Sequence, residues 1–416
     1  MRLIDSYNSE SSTLFISSYP EKGVLYSKQV CAVGGYTKNT LDALESDGLL
    51  GKSVILTVTI GKKKDIYEEK NRLIWRIFTR NNVLSYFDMF KAIAQFNNIK
   101  KVFIEFEFAS FGDTRISVFF PLIVLICKLT GKDVTIVIHQ VIDHIAEISG
   151  HLGWKTDSMG SNLKKSIFSV GLTLFYKSLV SLSSHVIVLE KEFKNRLVKI
   201  TGQADKITIV PHGVDAEVKL INKNEARNKL GLPVNKKIIL YFGYLTWYKG
   251  ADIFVNLAKQ YVKDPNIMFV IAGGPSFTQK TKKHYLEYLE YFKNPEKNMI
   301  ITGFVEEHDI ALYFSACDAV VLPYRVMMSS SGPLSLTFSY EKPLLMSDSL
   351  RNYMKSDDFK KAMETAQITE NDLFFESGKN ADIKLDELKL NKLARFSKEM
   401  KVARDFRITA TKMVHP

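Results

Sequence analysis

The sequence predicts an α/β protein built from two doubly wound parallel-sheet domains. Three observations carry that prediction. The chain has 416 residues, more than one hydrophobic core comfortably organises. Short continuous apolar runs alternate with helix-length segments, as strands covered on both faces require. The same alternation then starts a second time after "PHGVD" at 211–215.

In the first half the predicted strands are "STLFISS" (12–18), "SVILTVTI" (53–60), "KVFIEF" (101–106), "DVTIVIH" (133–139), "HVIVL" (185–189) and "ITIVP" (207–211). Each is rich in β-branched or aromatic residues. In the second half they are "KKIILYFG" (236–243), "IMFVIAGG" (267–274), "NMIITGF" (298–304), "DAVVLPY" (318–324) and "KPLLMS" (342–347). This places a first domain at 1–212, a second at 213–395, and a terminal helix at 396–416 folding back on the first. Ligands of two such open sheets are expected at the carboxyl ends of the strands, in a cleft across which the domains face each other.

Composition narrows the partners. The chain is 46% hydrophobic and 25% charged, which is globular, and its net charge of +12 is spread along its length. Lysine and arginine exceed aspartate and glutamate by seven in residues 1–208 and by five in the remainder. A diffuse basic excess suits anionic small molecules or an anionic membrane surface. No nucleic-acid partner is expected, since no helix-turn-helix, zinc-finger or RNP-like pattern occurs. Cys31, Cys127 and Cys317 are far apart and form no CxxC pair, so neither a disulfide framework nor a zinc site is expected. The N-terminus shows no basic and apolar leader pattern, and the apolar run "ISVFFPLIVLIC" (116–127) is too short to span a bilayer. The expected location is cytoplasmic, with peripheral attachment at the inner face of the membrane as the further expectation. For that attachment residues 151–182 offer Trp154, Phe168, Phe175 and Tyr176 beside Lys155, Lys164, Lys165 and Lys177. The alternative is a core helix with a basic solvent edge.

Strand ends hold the chemistry-bearing residues. "VGGYTKNTL" (33–41) brings Gly34 and Gly35 before a helix, and "FGYLTWYKG" (242–250) brings Gly243 and Lys249 before another. Glycine lets a backbone approach phosphate closely, and lysine adds a point charge. Taken singly, each stretch reads first as an ordinary strand-to-helix turn, and their joint placement at strand ends in both halves counts against that. Neither is a dinucleotide fingerprint or a P-loop. His139 ends a strand, where it serves either as a structural group or as a functional one, and the same choice applies to His212. "SSSGPLSLTFSYEKPLL" (329–345) reads as a capped helix start, with Ser331 or Gly332 as N-cap and Pro333 in the first turn. Such a helix mouth is a generic anion site. No D-x-D pair occurs, so no metal-bridged diphosphate is expected and no cofactor is implied.

In their order and spacing, "ITIVPHGVD", "YFG…YKG", "VIAGG", "ITGFV", "YFSACDAVVLPY" and "SSSGPLSLTFSYEKPLLMS" resemble the GT-B-fold retaining glycosyltransferases of family 4. The first half is similar more loosely, through "SSYP", "GGYTKNTL", "IEFEFASFG" and "TIVIHQV". The resemblance implies two Rossmann-like domains and a metal-independent hexosyltransferase. It would use a nucleotide-diphosphate sugar as co-substrate and a glycan or lipid-linked acceptor. By position it implies that Lys249 neutralises the diphosphate, that Gly34 and Gly35 approach phosphates or sugar, and that His139 sits over the transferred sugar. The backbone at Phe304 and Val305 would meet the base. Gly243, Gly273, Ser329, Ser330, Ser331, Gly332, Pro333 and Leu334 would complete the donor site. Two departures stand out. Tyr244 and Thr246 occupy positions where family members carry an arginine, and Ser329 and Thr337 stand in place of the paired glutamates. These departures keep a second reading open, a non-catalytic GT-B relative that binds nucleotide sugar or partners another transferase. A sugar-nucleotide epimerase of the same fold is a third, and no arrangement of acids supports it.

Overall fold

In the computed structural model, residues 3–26, 30–154, 159–378, 383 and 385–414 are described. The chain divides into two compact units. The first comprises Met1–Asp143, Ser166–Gly213 and Phe406–Pro416, and the second His144–Lys165 and Val214–Asp405.

Among the described residues the first unit carries β1 (Thr13–Ile16), β2 (Ser53–Val58), β3 (Asp65–Glu69), β4 (Arg72–Phe78), β5 (Lys101–Phe106), β6 (Asp133–Ile138), β7 (His185–Val188) and β8 (Ile207–Ile209). They form one sheet in the order β3-β4-β2-β1-β5-β6-β7-β8, parallel except for the β3–β4 hairpin. The order reverses direction at β1, the switch point at which open sheets bind ligands. Phe15, Ile55, Ile74, Phe103, Val137 and Ile187 stack on one face, against Tyr36, Leu41 and Leu44 of the helix Val33–Ser46. The helix Phe406–Val414 completes that core with Phe406, Ala410 and Met413.

The second unit carries β9 (Lys237–Phe242), β10 (Ile267–Ala272), β11 (Met299–Ile301), β12 (Ala319–Leu322), β13 (Leu344–Ser347) and β14 (Phe374–Phe375), all parallel, in the order β11-β10-β9-β12-β13-β14. Its switch point is β9. The most heavily buried strand segments, such as "IILY" and "AVVL", are the continuous apolar runs that a doubly covered sheet demands.

The division differs from the expected boundaries in two places. Residues 144–165 group with the second unit. The reason is close packing there: a Cβ on Gly150 would lie 2.4 Å from the Trp247 ring, and one on Gly153 2.4 Å from the His284 ring. At the other end, the helix Glu387–Ala403 also stays with the second unit. Phe396 packs on Phe338 and Phe359, and buried Arg404 donates through Nε to Asp358 at 2.7 Å. Only the segment from Phe406 onward returns to the first unit. No helix among the described residues is long and apolar enough to cross a membrane.

Candidate donor site

In the first unit, His139 follows β6 and is buried. Its Nε2 lies 2.7 Å from Oε2 of Glu105, which is on the adjacent strand β5 and equally buried. Tyr36 meets the imidazole edge-on, with centroids 4.8 Å apart. Burial first, and then the Glu105 charge, holds the Tyr36 phenol well above its ordinary value. One imidazole nitrogen is therefore committed to a carboxylate, which fixes the ring's orientation. His212 keeps its Nδ1 2.8 Å from the Gly213 carbonyl and packs its ring on Tyr36, the arrangement of a structural residue.

Gly34 and Gly35 lie within the first turn of a helix and not in a loop. Their amides donate to the carbonyls of Cys31 and Ala32. A Cβ on Gly34 would come 2.8 Å from Val30, and one on Gly35 would come 2.9 Å from the Tyr26 ring. The space that small residues leave here is filled by the chain's own preceding segment, and the amides already have partners.

The second unit assembles the other predicted residues more tightly. Gly243 terminates β9, and a Cβ there would stand 3.2 Å from Lys249 Nζ and 3.4 Å from Pro333 Cγ. Beneath it, Gly273 ends β10 so close that a Cβ would lie 1.8 Å from the Gly243 carbonyl oxygen, which only glycine permits. Gly274 similarly abuts the Phe304 amide, and Tyr244 lies 6.3 Å, ring to ring, from both Phe304 and Phe277. Val305, next to Phe304, is buried. Lys249, Gly243, Gly273 and Pro333 thus converge at the carboxyl ends of the central strands.

The helix Gly332–Ser339 opens at this point. Ser331 is its N-cap, accepting from the Leu334 amide at 3.2 Å while its hydroxyl meets Tyr324 Oη at 2.7 Å. This is the capping role that the sequence offered, and it engages both the Ser331 hydroxyl and the Leu334 amide. Ser329 and Ser330 are half-buried. The Ser330 Oγ is itself buried and has no hydrogen-bond partner among the described residues. Thr337, in the place of the second family glutamate, is fully buried and donates to the Pro333 carbonyl at 2.7 Å. Gly332 has no positive φ, and a Cβ there would meet nothing within 4 Å. Gly332→Val should therefore leave the melting temperature within about 2 °C, since surface changes away from special contacts are nearly neutral, while donor affinity falls. A thermal melt beside a nucleotide-sugar titration checks this, and a large loss of stability would place the glycine's importance in the fold instead.

Lys249 rides on a short loop whose geometry is imposed from outside. The Tyr244 carbonyl accepts from Tyr241 Oη at 2.8 Å, the Leu245 carbonyl from Tyr285 Oη at 2.7 Å, and the Thr246 carbonyl from Tyr288 Oη at 3.3 Å. The Trp247 carbonyl accepts from Arg325 Nη1 at 2.8 Å and the Tyr248 carbonyl from the Arg325 amide at 2.8 Å. Arg325 also pairs through both terminal nitrogens with Asp252, and its guanidinium lies over the Trp247 ring. Tyr288 donates to the same carboxylate at 2.7 Å. Burial, and then the Asp252 charge, pushes the Tyr288 phenol well up, so it stays a donor at neutral pH. Gly250 closes the loop at φ +67°, with the Pro323 carbonyl 1.8 Å from where a Cβ would be. None of these supporting residues was nominated by sequence. The "YLEYLEYF" stretch at 285–292 holds two of the tyrosines but looks like any amphipathic helix. The segment Ile145–Leu152 adds His151, which meets Tyr248 edge-on at 5.2 Å. Burial first, and then the Lys282 and His284 charges, pushes it down to about 4, so it is neutral at pH 7.

One comparison with known proteins falls on the same part of the chain as this site. Residues 222–349 match the family described as "Glycosyl transferases group 1". The matched segment contains Gly243, Lys249, Gly273, Phe304 and the helix mouth at 329–334. Among curated relatives, the alpha-galactosylglucosyldiacylglycerol synthase of Streptococcus pneumoniae is 28% identical over 48% of this chain and 53% of its own length. The GDP-mannose:glycolipid 4-beta-D-mannosyltransferase of Xanthomonas campestris pv. campestris is 31% identical over 26% of this chain and 29% of its own. The chain therefore aligns with about half or less of these relatives. Solved structures align over nearly everything. A sucrose-phosphate synthase from Thermosynechococcus elongatus superposes with a TM-score of 0.69 at 14% identity, covering 97% of both chains. The Anabaena protein HepE, solved with UDP and glucose, gives 0.61 at 14% identity, covering 97% of this chain and 98% of that one. The fold is GT-B.

Proposed function

We propose that this protein is a retaining glycosyltransferase that moves a hexosyl group from a nucleoside-diphosphate sugar to a glycan or lipid-linked acceptor. The observation that carries the proposal is the convergence of Lys249 Nζ, Gly243 and Pro333 at the strand ends of the segment that matches the group 1 family model. A lysine ammonium there meets the positive end of the helix Gly332–Ser339. Two fixed sources of positive potential at one place suit a diphosphate, and above all the charge that grows on it as it leaves. Gly243 and Gly273 keep side chains out of that space. The Tyr244, Phe277 and Phe304 rings offer an apolar shelf for the nucleobase, with tyrosine now occupying the position of the family's arginine. Within the first unit, Glu105 fixes the orientation of the His139 ring. The S. pneumoniae relative's name, a diacylglycerol glycolipid synthase, supports the lipid-linked class of acceptor.

The reading includes metal independence. Lysine and backbone dipoles supply the positive charge that a divalent ion would otherwise bring to the leaving group. Initial rates in excess EDTA should equal those with added magnesium or manganese. A rate that collapses with chelator and returns with metal contradicts this.

A second reading, a binding protein without transfer activity, is favoured by Ser329 and Thr337, which remove both family carboxylates. The Thr337 hydroxyl is turned into its own helix and cannot substitute for an acid. Product analysis with a panel of UDP-, GDP- and ADP-sugars separates the two readings. Transfer supports the first, and binding without product supports the second.

A further inference from the structure

The helix Met159–Leu182 carries an apolar stripe that the fold leaves uncovered. Leu163, Ile167, Val170 and Leu174 are each between 60% and 65% exposed. Their spacing of four, three and four residues puts them on one helical face. On the opposite face Phe175, Tyr176, Leu179 and Val180 are buried. Single exposed leucines are ordinary, but four in one row are not what a solvated helix presents. A second exposed apolar group lies in the first unit, which also holds this helix from Ser166 onward. Val118, Phe119 and Leu122, at the start of the helix Pro121–Leu129, are 44% to 50% exposed. Neighbouring Phe120 and the helix residue Phe175 both pack on Phe106, with centroids 4.8 and 5.3 Å away.

Charge decides what such a surface would meet. Residues 159–182 contain three lysines and no acid, and residues 114–132 contain Arg115, Lys128 and Lys132, again with no acid. Lys132 is buried and bonded to the Phe96 and Ile99 carbonyls. Lys164, Lys177, Arg115 and Lys128 are exposed. Lys164 Nζ also lies over the Trp154 ring, 4.8 Å from its centroid. We propose that this face, with the stripe Leu163–Ile167–Val170–Leu174 at its centre, docks in the plane of an anionic lipid bilayer. The leucine, isoleucine and valine side chains enter the headgroup boundary while the flanking cations meet lipid phosphates. A second copy of the chain is a poorer occupant, because two-fold pairing would set cationic rims against each other without a single acid in either segment.

The structure also corrects which side chains face outward. Phe175 and Tyr176, nominated from sequence as membrane contacts, are core residues, and Phe168 is half-buried. Lys155 lies outside the described residues.

The test is co-sedimentation of the full chain with vesicles of phosphatidylcholine alone and of phosphatidylcholine mixed with phosphatidylglycerol. Binding is expected only to the mixed vesicles, strongest at low salt. Lys164→Gln and Lys177→Gln should each weaken it about fivefold. The double variant Ile167→Ser with Leu174→Ser should abolish it, with the melting temperature and donor binding unchanged because both side chains are exposed. Equal recovery with neutral and anionic vesicles overturns the proposal, and so does full binding by the double-serine variant. Sedimentation velocity gives the remaining outcome. A dimer that dissociates in the double-serine variant, without vesicle binding, would make this face an interface between copies instead.

Discussion

Lys249→Ala is expected to lower kcat by roughly a hundredfold or more while the protein stays folded. The magnitude follows from comparison with removal of one transition-state donor from an enzyme site, which costs about 3 kcal/mol. Lys249 is positioned for that role because its Nζ reaches the strand end at Gly243 and lies beside the first turn of the helix Gly332–Ser339. Its charge is worth more there than on an open surface, since a partly enclosed site screens it less. The effect should fall on kcat more than on KM, because the leaving diphosphate gains charge only as the bond to the sugar breaks. Lys249→Arg restores charge but not shape: the planar fork is bulkier than the ammonium and has to fit between Gly243 and Pro333. It should recover only part of the activity. Steady-state kinetics and a thermal melt on both variants check this. A folded Lys249→Ala enzyme with full turnover would remove the lysine from the site.

Much of the fold was legible because parallel strands buried on both faces are written as unbroken apolar runs. "KIILYF", "IMFVIA" and "AVVL" are such runs, and each is a strand of the second sheet. The β3–β4 hairpin was not legible. Its outer strand "DIYEE" is mostly charged, as an edge strand is when it avoids pairing with other chains, and it has no apolar run to detect. Its inner strand "RLIWRIF" carries two arginines that look solvated in sequence. In the structure Arg72 is fully buried, bonded to Glu45, Asp42 and Tyr19, and Arg76 is bonded to the Tyr19 and Val58 carbonyls. Those partners lie 18 to 57 residues away in the chain, so no local window shows them.

The candidate site was legible to the same depth. Glycine, lysine and proline at strand ends are local signals, and Gly243, Gly273, Lys249 and Pro333 do converge. Gly34 and Gly35 carried the same signal but lie inside a helix against the chain's own preceding segment. Glycine marks close approach without saying what approaches. Glu105, the partner of His139, was hidden because a carboxylate in the middle of "IEFEF" has no distinguishing neighbours. The tyrosines around the Lys249 loop were hidden for a related reason, since a phenol's partner is a backbone carbonyl that any residue supplies.

The loop's dependence on that brace leads to the second large effect. Arg325→Ala should destabilise the protein by about 2–4 kcal/mol and cut turnover by at least tenfold, because it removes several supports at once. The guanidinium holds the Trp247 carbonyl, faces the Trp247 ring and neutralises Asp252, which is 17% exposed at its side chain. Without it the Asp252 carboxylate keeps the Tyr288 hydroxyl and the Asp252 charge remains uncompensated. The lower half of the range applies if water enters, since the Arg325 side chain is itself 24% exposed. Asp252→Ala removes the carboxylate and should cost less. The double variant should be more stable than the two single losses added together, with a coupling of about 1–3 kcal/mol. Arg325→Lys separates charge from geometry: it neutralises Asp252 but cannot hold both carboxylate oxygens and the Trp247 carbonyl together. Stability should then recover more than kcat does. Urea titrations of the four proteins give the coupling, and single-turnover rates show whether the loop still presents Lys249. A zero coupling, or a stable Arg325→Ala enzyme with undiminished turnover, would show that the tyrosines and Gly250 hold the loop unaided.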